Sequence, residues 1–244
     1  MNITAHTASD GIVERTFTLD DITGVIWSSE SAERTPLILS GHSGGMHKKA
    51  PGLVANAHHL VSTRGYTVAA IDAPGHGERP RNAQDQKWAD AIHEARESGQ
   101  TIAPIVAEYN ASLVERTVPE WRTTIDALQG LSDIGTDVPI GYGAMTLGVA
   151  IGSTLATVEP RIRAAAFGPV LVYDRLVDTA RRIDIPVDFT IAWDDEYIDH
   201  NDGIALFDAC GSTEKSLHAC PGTHTRMRGA DPDRVGRFFD RYLI

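Results

Sequence analysis

The sequence is short of cysteine, short of positive charge, and without an apolar leader, and each lack removes a class of protein. Among 244 residues only Cys210 and Cys220 carry thiols, too few for a disulfide framework. Two reduced thiols and a cytoplasmic location are the expectation. The 22 basic against 33 acidic side chains leave a formal charge of -11. A nucleic-acid binder would present a basic face, and an anionic membrane attracts basic segments, so neither partner is expected. The opening stretch, MNITAHTASDGIVERTF, has no basic region followed by an apolar one, so no secretory signal is read. Internal repeats and low-complexity tracts are absent.

What is present reads as an ordinary globular chain, 42% hydrophobic and 23% charged. Its length suits one large domain, able to bury roughly 70–75% of its unfolded surface without metal or disulfide. One stretch, Val138 to Val158, runs 21 residues without a charge. That length raises the question of a membrane span, but Pro139 and several glycines interrupt it. A buried strand, a tight turn and a buried helix explain it better.

Along the chain, Ile12–Ser28 alternates and predicts a β-hairpin or two neighbouring strands. From residue 35 onward strands and helices take turns. Strands are expected at Thr35–Ser40, Tyr66–Ile71, Val138–Tyr142, Ile162–Phe167, Val187–Trp193 and Lys215–Ala219. Helices are expected at Pro51–Thr63, Pro119–Leu131, Leu147–Thr157, Arg175–Arg182, Ile204–Cys210 and Pro232–Tyr242. The polar stretch Arg79–Gln100 breaks the rhythm and predicts an insertion reaching about Val114. The fold class that follows is α/β, a mostly parallel central sheet with helices on both faces. In such sheets chemistry sits beyond the carboxyl ends of the strands.

Four strand ends carry unusual residues. Gly41-His-Ser-Gly-Gly-Met-His47 can aim several backbone N–H groups into one space, an anion cradle. Asp72-Ala-Pro-Gly-His-Gly77 reads chiefly as a shaped turn. Tyr142-Gly-Ala-Met-Thr-Leu-Gly148 admits two registers of a nucleophile elbow, the strand-to-helix turn G-x-S-x-G. A nucleophile at position 143 would be a glycine, with no group to attack. One at Thr146 has Ala144 and Gly148 as small flanking residues, with a strand before it and Leu147 opening a helix. Trp193-Asp-Asp-Glu196 offers a carboxylate that could orient a histidine, and Pro221-Gly-Thr-His224 follows the last strand. Hydroxyl, acid and histidine at 146, 195 and 224 keep the order Ser…Asp…His of one fold.

Together these pieces resemble the α/β-hydrolase superfamily, most of all its compact bacterial branch of dienelactone-hydrolase-like and small esterase-like proteins. The resemblance runs from Leu37 to the C-terminus through Leu37–Gly44, Ile71–Gly77, the elbow, Glu159-Pro-Arg-Ile-Arg163, Trp193–Glu196 and Pro221–His224. In that family the elbow precedes a Glu-Pro-Arg-Ile-like stretch by the 13 residues that separate Thr146 from Glu159. The resemblance implies Thr146 as nucleophile, His224 as general base and acid, and Asp195 as the carboxylate orienting His224, with Asp194 the competing acid. It implies oxyanion donors from the backbone of Leu147 and of the His42-Ser43 turn. It implies a small helical cap over residues 79–114 of a single 1–244 domain, with Trp88, Ile102, Ile105 and Tyr109 lining a substrate pocket.

The implied activity is hydrolysis of a small carboxylic ester, lactone or thioester. The departure is threonine where the family has serine. Positive φ is an outlier for a β-branched residue, and the extra methyl crowds the approaching carbonyl, yet an activated threonine hydroxyl is a legitimate nucleophile. Two other readings therefore stand: a non-catalytic ligand binder on this scaffold, and a non-hydrolytic, lyase-like enzyme using His224 as base. No cofactor is expected, since the chain has no Walker loop and no G-x-G-x-x-G spacing. No metal is expected either. His58-His59 lacks a third ligand at suitable spacing, and Asp194, Asp195, Glu196, Asp199 and Asp202 do not form a calcium loop. The expected partner is a small-molecule substrate, and a homo-oligomer is compatible with everything above.

Overall fold

The computed structural model describes residues 1–30, 34–224, 226–227, 231 and 233–244. Three strands open the chain: β1 (Asn2–Ser9), β2 (Ile12–Leu19) and β3 (Ile22–Ser29). Then come β4 (Leu37–Gly41), α1 (Pro51–Arg64), β5 (Thr67–Ile71), α2 (Ala83–Glu97), α3 (Ala103–Gln129), β6 (Ile140–Ala144), α4 (Leu147–Val158) and β7 (Ile162–Phe167). The chain finishes with α5 (Asp174–Ala180), β8 (Val187–Ala192), α6 (His200–Ala209), β9 (Lys215–Cys220), β10 (Gly222–Thr223), β11 (Arg226–Met227) and α7 (Arg234–Leu243). Pro232, where the final helix was expected to begin, lies outside the described residues.

Nine strands form one sheet in the order β1-β2-β3-β5-β4-β6-β7-β8-β9. From β5 to β9 every neighbouring pair is parallel, while β1, β2, β3 and β5 pair antiparallel. The hairpin read at Ile12–Ser28 is β2 and β3, paired from Ile12↔Ser29 to Leu19↔Ile22. Strand β1 was not expected. It is joined to β2 through Asp10-Gly11, both at positive φ, the signature of a tight two-residue hairpin turn.

Helices cover both faces of the sheet, as the apolar strands require. Successive residues of β5 go to opposite cores. Val68 and Ala70 pack with Leu60, Tyr66 and Phe239 of the α1 and α7 side. Ala69 and Ile71 pack with Trp121, Ile125 and Leu147 of the α3 and α4 side. A strand buried on both faces reads as an unbroken apolar run, which is why the parallel strands stood out. The same burial explains the chargeless window, for Ile140 to Tyr142 and nine residues of α4 are buried. Among the described residues no helix is long and apolar enough to cross a membrane.

Helix α6 begins at His200, four residues before the expected Ile204, and one expected boundary differs more. The helix predicted to start at Pro119 is the second half of α3, which runs unbroken for 27 residues with Pro119 inside it. Proline lacks the N–H that would bond back one turn. The buried stripe Leu113, Thr117, Val118, Trp121, Thr124, Ile125 and Leu128 continues on both sides of it, and that packing outweighs one lost hydrogen bond. Residue 114 therefore falls inside a helix, not at its end. Helix α2 is capped by Asn82, whose side chain accepts from the amides of Gln84 and Asp85.

Candidate active site

Strand β6 leads into α4 through a turn whose central residue, Thr146, has φ 48° and ψ -115°. Only two other non-glycine residues among those described have positive φ, Asp10 and Asp20. Asparagine and aspartate reach that region with modest cost, but a β-branched side chain does not. Threonine commonly caps helices, yet the Thr146 side chain makes no cap bond to α4. Its Oγ1 instead accepts from the amide of Gly44, 3.2 Å away in the loop after β4.

The turn is held from outside. The Thr146 amide donates to the Pro169 carbonyl (2.9 Å), and the Gly168 amide donates to the Ala144 carbonyl (2.8 Å), so the loop after β7 clamps it from one side. The other side is packed against β4. A Cβ on Gly148 would sit 2.8 Å from the Gly41 backbone and from Ala144 Cβ. The close approach of Gly41 and Gly148 is what the small residues around the turn permit. The Leu147 amide is the first of α4, one of the N–H groups that a helix leaves without an internal acceptor.

The loop after β8 supplies three successive carboxylates, each with its own task. Asp194 Oδ2 accepts from the Gly222 amide at 2.9 Å. Asp195 Oδ2 lies 2.8 Å from His224 Nδ1. Glu196 Oε2 accepts from the His224 amide at 3.1 Å. The second oxygen of Asp195 is also occupied, accepting from the amides of Tyr197 (2.9 Å) and Ile198 (3.0 Å). Asp195 is thus fixed in direction, its side chain 1% exposed against 24% for His224. The bond to Asp195 favours the imidazole tautomer with its proton on Nδ1. The Tyr197 ring stands edge-on to the imidazole, centroids 5.7 Å apart. Among the described residues no hydrogen bond joins His224 to Thr146.

His42 faces inward. Its Nε2 accepts from the Ala73 amide at 3.0 Å, which places the proton on Nδ1, 2.9 Å from the Ser43 carbonyl. Burial pushes its pKa down to about 4, against the pull of the Ser43 carbonyl. The ring is therefore a neutral tie between the loops after β4 and β5, with both of its nitrogens engaged within the protein.

Of the residues expected to line a pocket, Trp88 on α2 and Tyr109 on α3 stack on each other at 5.2 Å. Tyr109 stacks in turn on His76 (6.2 Å), and His76 leans against His42 (5.1 Å). Ile105 is half-buried on the first turn of α3, one helical turn from Tyr109 and on its face. Ile102 is the half-buried residue just before that helix.

Sequence reasoning did not find His76, nor the pair beneath it. Asp72 is wholly buried and binds Lys48 Nζ at 2.6 Å, with Thr23 Oγ1 and the amides of Lys48 and Glu78 as further donors. The signal available was the turn itself, with Gly75 and Gly77 both at positive φ. Among the described residues no cluster of His, Cys, Asp and Glu could hold a metal ion.

No family model matches this chain, and no curated protein does. Solved structures do. A PEG-bound, cold-adapted esterase from an Arctic intertidal metagenomic library is 26% identical, with a TM-score of 0.79 over 100% of both chains. An acetyl xylan esterase from a Paenibacillus species is 13% identical, TM-score 0.69, over 99% of this chain and 88% of that one. An esterase of Pyrococcus furiosus is 12% identical, TM-score 0.68, over 95% and 92%. At that likeness, and with its mostly parallel sheet flanked by helices, the chain has the α/β-hydrolase fold of these esterases.

Proposed function

We propose that this protein is a carboxylic-ester hydrolase acting on a small ester, lactone or thioester, with Thr146, His224 and Asp195 as its triad. The observation that carries the reading is the buried Asp195 carboxylate 2.8 Å from the partly exposed His224, in a chain whose strand-to-helix turn holds a hydroxyl residue at positive φ. The likeness to esterases over the whole chain supports it. It also sits well with the compact dienelactone-hydrolase-like and small esterase-like branch.

In this reading His224 Nε2 takes the Thr146 proton as Oγ1 attacks the ester carbonyl. The oxyanion forms against the amides of Leu147 and the His42-Ser43 turn. Collapse breaks the bond to the leaving oxygen or sulfur, which receives the proton from His224. Water then attacks the acyl-threonine by the reverse sequence. Asp195 holds the Nδ1–H tautomer and stabilises the imidazolium. Residues 79–114 form a cap in this scheme, with Trp88, Ile105 and Tyr109 against the substrate.

The test is hydrolysis of short-chain aryl esters by the wild type, Thr146→Ala and Thr146→Ser. Turnover that Thr146→Ala abolishes and Thr146→Ser keeps is the expected result. Full activity in Thr146→Ala would remove Thr146 from the mechanism.

One observation favours a second reading. The Thr146 hydroxyl is engaged by Gly44 and not by His224, an arrangement that suits a binder whose nucleophile is retired. Such a protein would gain thermal stability from a substrate-like ligand without turning it over, and Thr146→Ser would not create activity.

A further inference from the structure

Strand β1 is the end strand of the nine-stranded sheet, bonded on one side to β2. All eight of its residues are exposed. Among the described residues no strand pairs with its outer edge, which thus presents a row of N–H and C=O groups as a template for another strand. Proteins usually blunt such an edge with charge, proline or cover. Strand β1 reads Asn-Ile-Thr-Ala-His-Thr-Ala-Ser and holds no Lys, Arg, Asp, Glu or Pro.

The opposite end of the sheet is built differently. Strand β9 is largely half-buried, and its Lys215 ammonium is fastened to the carbonyls of Phe207, Asp208 and Cys210. Strand β1 keeps a single protective device, a bulge between Ile3 and Ala5. Beyond it, Ala5 to Ser9 pair in regular register with Thr16 to Ile12.

We propose that Ala5–Ser9 pairs antiparallel with the same segment of a second copy of this chain, about a two-fold axis at Thr7. The two sheets then join into one. Charge selects this place. Copies of a protein with a formal charge of -11 repel one another, and an uncharged edge is where they approach at least cost.

With Thr7 on the axis, Ala5 faces Ser9, His6 faces Ala8, and Thr7 faces Thr7 of the partner subunit. No two like charges stand opposite each other, and a Thr–Thr pair across strands is favourable. Asp10, just past the strand, falls opposite Thr4. An antiparallel edge is its own complement, and a two-fold axis closes the assembly at two copies.

Size sets the strength. Five paired residues a side fall well below the roughly 20–30 residues a side of a standard interface. The dimer is therefore weak and concentration-dependent.

Sedimentation velocity tests this over a roughly thousandfold concentration range centred on the micromolar. The mass should rise from 26.4 kDa toward twice that value. Thr7→Lys places two ammonium groups at the axis and should raise the dissociation constant at least about tenfold. Thr7 is exposed, so circular dichroism, melting temperature and ester hydrolysis should not change.

Thr7→Cys gives a second measurement. Cys210 and Cys220 are buried, so mild oxidation should yield a dimer that reductant reverses. Thr4→Cys, displaced from the axis, should not cross-link. A chain that stays monomeric across the range overturns the proposal. So does a dimer that survives Thr7→Lys, or one that Thr7→Cys fails to cross-link.

Discussion

The amide of Gly44 donates to the hydroxyl of Thr146 across 3.2 Å, tying the loop after β4 to the turn between β6 and α4. The turn that places this hydroxyl is strained, since Thr146 has φ 48°. A non-glycine residue in such a region costs roughly 1–3 kcal/mol. Thr146→Gly should therefore raise stability by about 1 kcal/mol, read as a higher melting temperature, while abolishing ester hydrolysis. Thr146→Ser keeps the hydroxyl and removes the methyl that, in the proposed mechanism, crowds the carbonyl. It should raise kcat/KM by about 10–100-fold. A Thr146→Ser variant slower than the wild type would show that the methyl positions the hydroxyl and does not obstruct it.

Asp194 and Asp195 are neighbours with different tasks, and their amide variants should separate. Asp195→Asn leaves His224 without the anion that sets its tautomer. Here kcat should fall by roughly 10³–10⁴-fold with the melting temperature little changed. Asp194 accepts from the Gly222 amide at the base of the β10 loop. Asp194→Asn should cost about 1 kcal/mol of stability and leave kcat within a few-fold. Equal losses of kcat in the two variants would show that both carboxylates act through His224.

These two residues also show what was legible in the sequence. Chain order, together with spacing within the Trp193–Glu196 loop, pointed to Asp195, because the family pattern encodes that position. The parallel strands were legible because burial on both faces leaves unbroken apolar runs such as Thr67–Ile71. Strand β1 was not, since exposure on both faces imposes no period on Asn2–Ser9. The continuity of α3 was hidden by Pro119, a local breaker overridden by the packing of Trp121 and its neighbours. The Lys48–Asp72 pair was hidden for another reason: charged residues in glycine-rich turns read as exposed, and nothing local says that the fold will close over them.

Acid should loosen the fold through His42. Its folded pKa is lowered to about 4 from an ordinary 6.5, chiefly by burial. Between those values the unfolded chain binds the proton and the folded one does not. The stability that His42 contributes is thus fully present above about pH 6.5 and drains away as pH falls toward 4. The shift corresponds to about 3 kcal/mol at most. Denaturant unfolding at pH 7 and pH 4.5 should show a loss of that order, which His42→Gln should remove. An unchanged pH dependence in His42→Gln would place the acid sensitivity elsewhere.

The Lys48–Asp72 pair should prove costly to break and cheap to replace. Burial alone would raise the Asp72 pKa, yet the bonds from the Lys48 amide and ammonium, Thr23 and the Glu78 amide outweigh it and hold the carboxyl below its ordinary value. Lys48→Met removes the counter-charge and leaves an anion buried among Ala73, Pro74 and the β5 core. A stability loss of about 3–5 kcal/mol is expected, as for other buried pairs deprived of one partner. Asp72→Asn strands the ammonium instead, but Lys48 retains Glu78, whose carboxylate is 3.0 Å away and largely exposed. Its loss should be the smaller of the two. In Lys48→Met with Asp72→Asn neither charge of the pair remains, and one of the two backbone amides that bond Asp72 keeps an oxygen to bond. The double variant should therefore be more stable than Lys48→Met alone, with a coupling of about 1–3 kcal/mol in denaturant melts. Simple addition of the two single losses would mean that the pair fills space and bonds backbone, with its charges contributing nothing to each other.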